Sequence, residues 1–438
     1  MTPRPPVVLK FGGAALSDVK GILTRIRAVQ TEGAPVVLVA SAREGVTDLL
    51  SRVLAHPRSR VDHGQILRRI EARHPELPPA GRAQARRLAR LVSLVEASYP
   101  ADRPLGDRLL SMGERLSVHW LAQRLVEEGI PSTAVEADHL GIVTDNAYGA
   151  SCILFDRSEL AVRRGLRRIL SSGRIPIVTG YFGRSLEGRV AVLGRGGSDY
   201  SASAIGAILH AARVELVKRY VPILTADPRH VVGARPIDHL SYEEAEELAQ
   251  FGARVLHPLT IEPARQAGVE LWVRSQEHPD VLTTIAATDS EHHTRAVTLL
   301  RPLRLLRLRV PGGRQRPGIV AEVSDRLSKA RINVVALFTS SALLSLVLEP
   351  PHVRGALRAL APVTQDSAAV VEGPYSVALV TAIGDGILAE LNRLPSEALV
   401  DARGFSATPR SLSLAVEARS GPSALRAVHH ALVEGAAA

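Results

Sequence analysis

Two glycine-rich turns hold the residue types best suited to chemistry. Lys10-Phe11-Gly12-Gly13 sets an ammonium at the end of an apolar run, beside two glycines whose backbone N–H groups an anion can approach closely. Gly194-Arg195-Gly196-Gly197-Ser198-Asp199 gathers a guanidinium, a hydroxyl and a carboxylate where another apolar run gives way to a helical pattern. A helix N-terminus at that point adds donors and a favourable dipole for phosphate. Either turn, taken alone, also serves as an ordinary link between a strand and a helix. The lysine is the more telling observation. Of 54 Lys and Arg residues only Lys10, Lys20, Lys218 and Lys329 are lysines. Where arginine is the habitual cation, a lysine kept at a glycine turn points to a need for a compact ammonium.

Other chemistries find less support. The sequence contains no G-x-x-x-x-G-K-[ST] phosphate loop, no H-E-x-x-H and no G-x-G-x-x-G. The single cysteine, Cys152, excludes an internal disulfide and a Cys-cluster metal site, and suits a reducing compartment. His119, His292 and His293 lack metal-like partner spacing, so no protein-held metal is expected. The formal charge of +10 could signal a phosphate-backbone binder. However, the arginines run along the whole chain, on segments such as RAQARRLARLV (82–92) and VRRGLRRIL (162–170), where they fill a solvent face. With aromatics at 3% there is little to stack bases, and nucleic-acid binding stays a remote alternative. The start, MTPRPPVVLKFGG, has no signal-peptide core, and no apolar run is long enough to span a bilayer. A cytoplasmic location is expected.

The elements that must position these turns alternate in type. PPVVLKFGG (5–13), PVVLVASA (35–42), RIPIVTGYFG (174–183) and GRVAVLGRGGSD (188–199) read as strands ending in turns. DVKGILTRIRAVQTEG (18–33) and YSASAIGAILHAA (200–212) read as helices. The alternation predicts an α/β layered domain with a largely parallel central sheet, whose ligands bind at the carboxyl ends of the strands. Near residue 290 the character changes. Strand, helix and strand patterns over 304–349 recur over 376–435 as a second βαββ-type succession, with EHHTRA (291–296) as linker.

At this point the motifs carry a resemblance. LKFGG, VASAREGVTDLL (39–50), GDRLLSMGERLSVHWLAQRL (106–125), VTGYFGR, VLGRGGSDYSASAIGAIL, TADPRHV and FGARVLHPLTIEPA resemble the aspartate kinase family in the family's order across 7–275. The duplicated tail resembles its pair of regulatory ACT domains. The resemblance implies an amino-acid-kinase domain over 1–285, then two ferredoxin-like ACT units over 297–370 and 371–438 that can interleave. It implies transfer of the ATP γ-phosphoryl group, as the Mg²⁺ complex, to the β-carboxylate of L-aspartate, feeding lysine and threonine biosynthesis. Lys10 and Asp199 would be catalytic. Arg195 would clamp the substrate α-carboxylate and Glu114 its ammonium, with hydroxyls from Ser41, Thr47 and Ser198 around them. Gly12, Gly13, Gly196 and Gly197 would close on phosphate. The nucleotide would also meet Lys218, Arg219, Asp227, Arg229 and Arg254. An amino-acid effector would bind near Gly318 and Asn333 of the ACT units, in a homodimer or larger homo-oligomer.

The residues themselves leave plainer roles open. Glu114 could be a solvated helix charge, and Ser41 or Thr47 a helix cap. His257 and Asp227 sit in turn-forming HP and DP dipeptides.

The departures from the family pattern gather on the nucleotide side. Ala14-Ala15 stand where the family has Thr-Ser, and VKRYVPIL (217–224) stands where it has a segment like WTDVDGVY. Arg254 replaces a lysine, and Val335 replaces an acidic residue found in lysine-sensing relatives. The readings that follow are an active aspartate kinase with a remodelled nucleotide pocket, or a catalytically impaired paralogue acting as an amino-acid-binding regulatory subunit.

Overall fold

The continuous apolar runs become strands buried on both faces. The computed structural model describes residues 4–56, 61–220, 223–252, 256–287, 294–309, 318–340, 343–367, 369–400 and 402–435. The chain divides into two compact units. The first takes the chain up to Ile223 with Asp238–Glu246 and Arg254–Thr288, and the second takes Leu224–Ile237, Glu247–Ala253 and everything from Asp289 on. Asp227 and Arg229 therefore belong to the second unit, although the sequence places them inside the expected first domain. Arg254 lies outside the described residues, as does the first half of the EHHTRA segment.

The first unit contains β1 (Val7–Phe11), β2 (Val36–Ala40), β3 (Ser132–Val135), β4 (Val143–Thr144), β5 (Ile175–Thr179), β6 (Phe182–Ser185), β7 (Val190–Val192), β8 (Arg213–Lys218), β9 (His239–Ser241), β10 (Glu270–Ser275) and β11 (Leu282–Ala286). Eight of them form one sheet in the order β3-β5-β2-β1-β8-β10-β11-β9. Its pairs are parallel except β10 with β11. The chain steps from β1 out to β2 and returns to place β8 on the other side of β1. This reversal opens a crevice at the carboxyl ends of β1, β2 and β8, where open α/β sheets bind ligands. Val7, Leu9 and Phe11 face a core shared with Leu38, Leu50, Leu116 and Leu121, which leaves Val8 and Lys10 on the opposite face of β1.

One strand departs from the sequence reading. The GRVAV run forms β7, outside the main sheet, in a small β4-β6-β7 sheet. Only a short turn joins β6 to β7, and such a link permits an antiparallel hairpin but not a parallel crossover.

The second unit has one antiparallel sheet of β12 (Ala296–Arg309), β13 (Ala336–Thr339), β14 (Leu343–Leu348), β15 (Val370–Ile383), β16 (Ala402–Ala407) and β17 (Ser411–Glu417), in the order β13-β14-β12-β15-β17-β16. The long strands β12 and β15 serve two cores. Leu306 and Leu308 pack with Val323, Leu346 and Leu360, whereas Val297 and Val380 pack with Leu414, Leu425 and Val428. The duplication thus appears as two helix-covered halves sharing a central strand pair. Ala226 and Val231 enter the second of these cores. Thr225 is fixed there by the N–H of Val297, which donates to its carbonyl at 2.8 Å, and by His429 Nε2 at 3.0 Å from its hydroxyl.

Candidate active site

Lys10 is the fourth residue of β1, and alternation turns it toward the helix Gly197–Leu209. That helix is buried along its whole length, and its run of Ser, Ala and Gly lets it lie close to the sheet. Asp199 stands in its first turn. The Lys10 ammonium meets Asp199 Oδ1 at 2.6 Å, with both side chains almost wholly buried. Two residues 189 positions apart are thereby joined at the crevice, as the sequence motifs implied.

A second ammonium joins them. Lys218, the last residue of β8, donates to Asp199 Oδ2 at 2.6 Å. The two lysines hold the Asp199 carboxyl far below the usual carboxylate range, against the opposing effect of burial. The Lys10 pKa is lowered by burial and by the Lys218 charge, while Asp199 pulls it back up. Asp199 is therefore an anion with one ammonium on each oxygen.

The glycine turns bring backbone to this point. Gly196 precedes the helix with φ +72°, and a side chain there would run into His257 Cβ at 2.6 Å. At Gly13 a Cβ would come within 2.6 Å of the Ala42 carbonyl, so the turn after β1 and the loop after β2 touch through backbone alone. The N–H of Glu44 donates to the Gly13 carbonyl at 3.2 Å and completes that contact. Gly12 lies beside Lys10, and Gly197 opens the helix under Tyr181.

Glu114 is no solvated charge. It sits in the first turn of the helix Met112–Glu127, 2% exposed. Its Oε1 accepts from the N–H of Ala42 at 2.9 Å, and its Oε2 is buried with no hydrogen-bond partner among the described residues. Burial pushes its pKa up to about 8, offset in part by the Ala42 N–H and the Lys10 charge. One turn on, Ser117 accepts from the N–H of Arg43 at 3.1 Å, so this helix holds the loop that carries Ser41. Ser117 was not among the expected residues, although its i, i+3 spacing from Glu114 marks a shared helix face.

Asp107 was also passed over. Its buried Oδ2 accepts from the N–H groups of Gly149 and Val192, both at 2.9 Å, and so anchors the strand leading into the Gly194 turn. Tyr181, just after β5, has φ +75°, a left-handed conformation that costs a non-glycine residue roughly 1–2 kcal/mol. Its phenol lies in the field of Glu114 and Asp107, and burial among them pushes its pKa up. A non-glycine at that step of VTGYFGR leaves no mark in composition or periodicity.

The remaining expected residues are more dispersed. Ser198 packs under Gly180 and is 9% exposed. Arg195 is exposed and makes no hydrogen bond or ion pair with the described residues; burial, and then the Arg195 charge, lower the pKa of His257. Thr47 lies at the second position of the helix Val46–Ala55, which Gly45 precedes with φ +75°, so neither Thr47 nor Ser41 is its cap. His257 caps the helix Pro258–Ala267, accepting from the N–H of Leu259 at 3.3 Å. Arg219 turns outward to Glu277 at 3.2 Å and lies 5.4 Å from the Tyr220 ring. Asp227 and Arg229 pair with each other at 2.6 Å. Gly318 precedes the helix Ile319–Lys329 and Asn333 follows it, so they sit at opposite ends of an element about 16 Å long at 1.5 Å per residue. A single protomer does not bring these two together.

Glu136, Asp138 and His139 place ligand atoms within 4.8 Å of one another. The wholly buried Arg115 already engages both carboxylates, bonding Glu136 and lying 2.6 Å from Asp138. The guanidinium occupies the place a cation would take.

The profile of the amino acid kinase family matches residues 5–275. Lysine-sensitive aspartokinase 3 of Escherichia coli (strain K12) is 32% identical over 352 residues, 78% of each chain. The chain belongs to the aspartokinases of the amino acid kinase family. The aspartokinase of Thermus thermophilus is 30% identical over 341 residues, 74% of this chain and 82% of that one. Among solved aspartokinases, E. coli aspartokinase III in complex with aspartate and ADP superposes with a TM-score of 0.80 at 25% identity, covering 98% of this chain and 99% of the other. The same enzyme in complex with lysine and aspartate gives 0.76 at 26% identity, with the same coverage. The α/β fold with a largely parallel sheet is thus that of the aspartokinases. Among the described residues, no helix is long and apolar enough to cross a membrane.

Proposed function

We infer that this chain is an aspartate kinase, converting ATP and L-aspartate to ADP and 4-phospho-L-aspartate. A β-carboxylate oxygen forms the new bond to the γ-phosphorus, and the bridging bond to the β-phosphate breaks with its electron pair leaving on ADP. No acid or base is required, and the demands are alignment and neutralisation of spreading negative charge. The observation that carries this reading is the buried Lys10–Asp199 pair at the carboxyl edge of the sheet, with glycine backbone on either side.

Lys10 would lie against the transferring phosphoryl group, and Asp199 would hold that ammonium in place. The glycine turns would offer N–H donors to the phosphates. The unpartnered Oε2 of Glu114 would take the α-ammonium of aspartate, and Arg195, free on the surface, would close on its α-carboxylate bidentately. Ser41, Thr47 and Ser198 would complete the acceptor site. Mg²⁺ would enter as part of the nucleotide substrate, held by phosphates and water, since Asp199 is already engaged by two ammoniums. Nothing in the site favours a purely regulatory role. The test is ATP-dependent formation of aspartyl hydroxamate in the presence of hydroxylamine. Activity in the wild type and its loss in Lys10→Met support the reading; an inactive wild type, saturated with both substrates, overturns it.

An effector site on the second unit is a further part of this reading. Val335 offers no carboxylate to a lysine ammonium, so lysine should inhibit weakly here. Titration with lysine, threonine and methionine decides which amino acid, if any, the unit senses.

A further inference from the structure

The sequence assigned Lys218 to the nucleotide, whereas its ammonium lies on the carboxylate that holds Lys10. The sheet explains how it reaches that place. In the β1–β8 register Lys10 is opposite Leu216, so Lys218, two residues further, projects from the same face as Lys10 and nearer the crevice. Its backbone is fixed, because it pairs with Ser275 of β10 and its carbonyl accepts from the N–H of Gln276 at 2.8 Å. The side chain thus starts from a rigid strand end and finishes 2.6 Å from Asp199 Oδ2.

A carboxylate held by one ammonium can rotate about its last bond and present either oxygen. A carboxylate with a different ammonium on each oxygen has no such freedom. We propose that Lys218 is a positioning residue for phosphoryl transfer: by holding Oδ2 of Asp199 it keeps Oδ1 on Lys10, and so fixes the Lys10 ammonium where the γ-phosphoryl group must pass. This rests on the kinase reading and adds to it a residue that acts through Asp199. The charge arithmetic agrees. Two ammoniums against one carboxylate leave a net single positive charge facing the crevice, which favours an arriving polyphosphate without releasing Lys10 from its partner. Lys218 is partly exposed, with 24% of its side chain open, whereas Lys10 is 7% open. Lys218 therefore closes the solvent side of the pair.

The experiment compares Lys218→Met and Lys218→Arg with the wild type in the hydroxamate assay, with KM for each substrate and thermal melting measured alongside. The expected result for Lys218→Met is a kcat reduced about 10–100-fold, the range for losing one preorganised electrostatic contact, with both KM values within about threefold. Lys218→Arg should recover part of kcat, since it restores the charge but not the compact ammonium. Three results overturn the proposal: an unchanged kcat in Lys218→Met; a raised KM for ATP at unchanged kcat, which makes Lys218 a nucleotide contact; or a lowered melting temperature whose kcat loss disappears on cooling, which makes it structural. Should the methionine variant fail to fold, Lys218→Arg decides alone: a kcat below wild type at unchanged KM supports the proposal, and wild-type kcat overturns it. An inactive wild type fells the kinase reading and this one together, whereas an active wild type with an unaffected Lys218→Met fells this one only.

Discussion

The two sides of the crevice are built differently. On the side expected to receive aspartate, Glu114, Ser117, Ala42 and Gly13 link a helix, a loop and a turn through buried and half-buried contacts, and one carboxylate oxygen is left without a partner among the described residues. On the side expected to receive the nucleotide, Arg219 is exposed and paired with an exposed glutamate, and Tyr220 is 62% open. Buried, incompletely paired groups keep a fixed geometry for one ligand, because leaving them unmatched is costly. Exposed ion pairs are worth about 0–1 kcal/mol and exchange partners at little cost. The divergence of the nucleotide segment is thus uneven: Arg219 and Tyr220 lie exposed, whereas Lys218 is held on the buried Asp199 carboxylate.

The sharpest way to break this comparison is to remove the pair that both sides share. Lys10→Met or Asp199→Asn should each lower kcat by at least roughly 10³-fold, the scale for an essential electrostatic group in phosphoryl transfer. A loss below tenfold would place the chemistry elsewhere.

Glu114→Gln should come next. The lost charge-assisted contact, about 1.5–3 kcal/mol, corresponds to a KM for aspartate raised roughly 10–100-fold, with KM for ATP little changed. Equal effects on both substrates would erase the distinction between the sides.

The pH behaviour of Glu114 sharpens the point. Its folded-state pKa of about 8 lies above the ordinary value of 4.5, so in the empty protein it is largely protonated at neutral pH. Pairing with a substrate ammonium should pull that pKa down, so binding of aspartate at pH 7 should release close to one proton. Calorimetric binding enthalpies in buffers of different ionisation enthalpy measure this, and identical enthalpies would count against it. The same shift acts on stability. Because the folded pKa is raised, its contribution is fully present below the unfolded pKa and is lost as pH rises through about 8. Urea unfolding at pH 6 and pH 9 should show a decrease of about 1–3 kcal/mol in the wild type that Glu114→Gln largely lacks.

The smallest effect is expected from Arg219→Ala. Loss of an exposed pair should change KM for ATP by less than about threefold. A larger rise would mean that the guanidinium leaves Glu277 for phosphate when the nucleotide arrives.

Much of the fold was legible because burial on both faces writes itself as unbroken Val, Ile and Leu runs. β2 is of this kind, and β1 and β5 come close, interrupted by Lys10 and by Pro176. β7 looked the same over three residues and went to a different sheet, since a short run carries no record of its partner. In the site, the motif resemblance located Lys10, Asp199 and Glu114. Asp107 was missed because its partners are backbone N–H groups, which no side-chain pattern reveals.

By itself the sequence determined the strand and helix succession, the two glycine turns and the residue types at their ends, because local periodicity and backbone freedom are properties of neighbouring residues. Only the tertiary structure decided which charges meet. Lys218 and Asp199 lie 19 residues apart, and it is the placement of β8 beside β1, with the small-residue helix laid across them, that sets two ammoniums on one carboxylate. Burial, which gives Glu114 its raised pKa, is likewise a property of everything packed around a group and not of its neighbours in the chain.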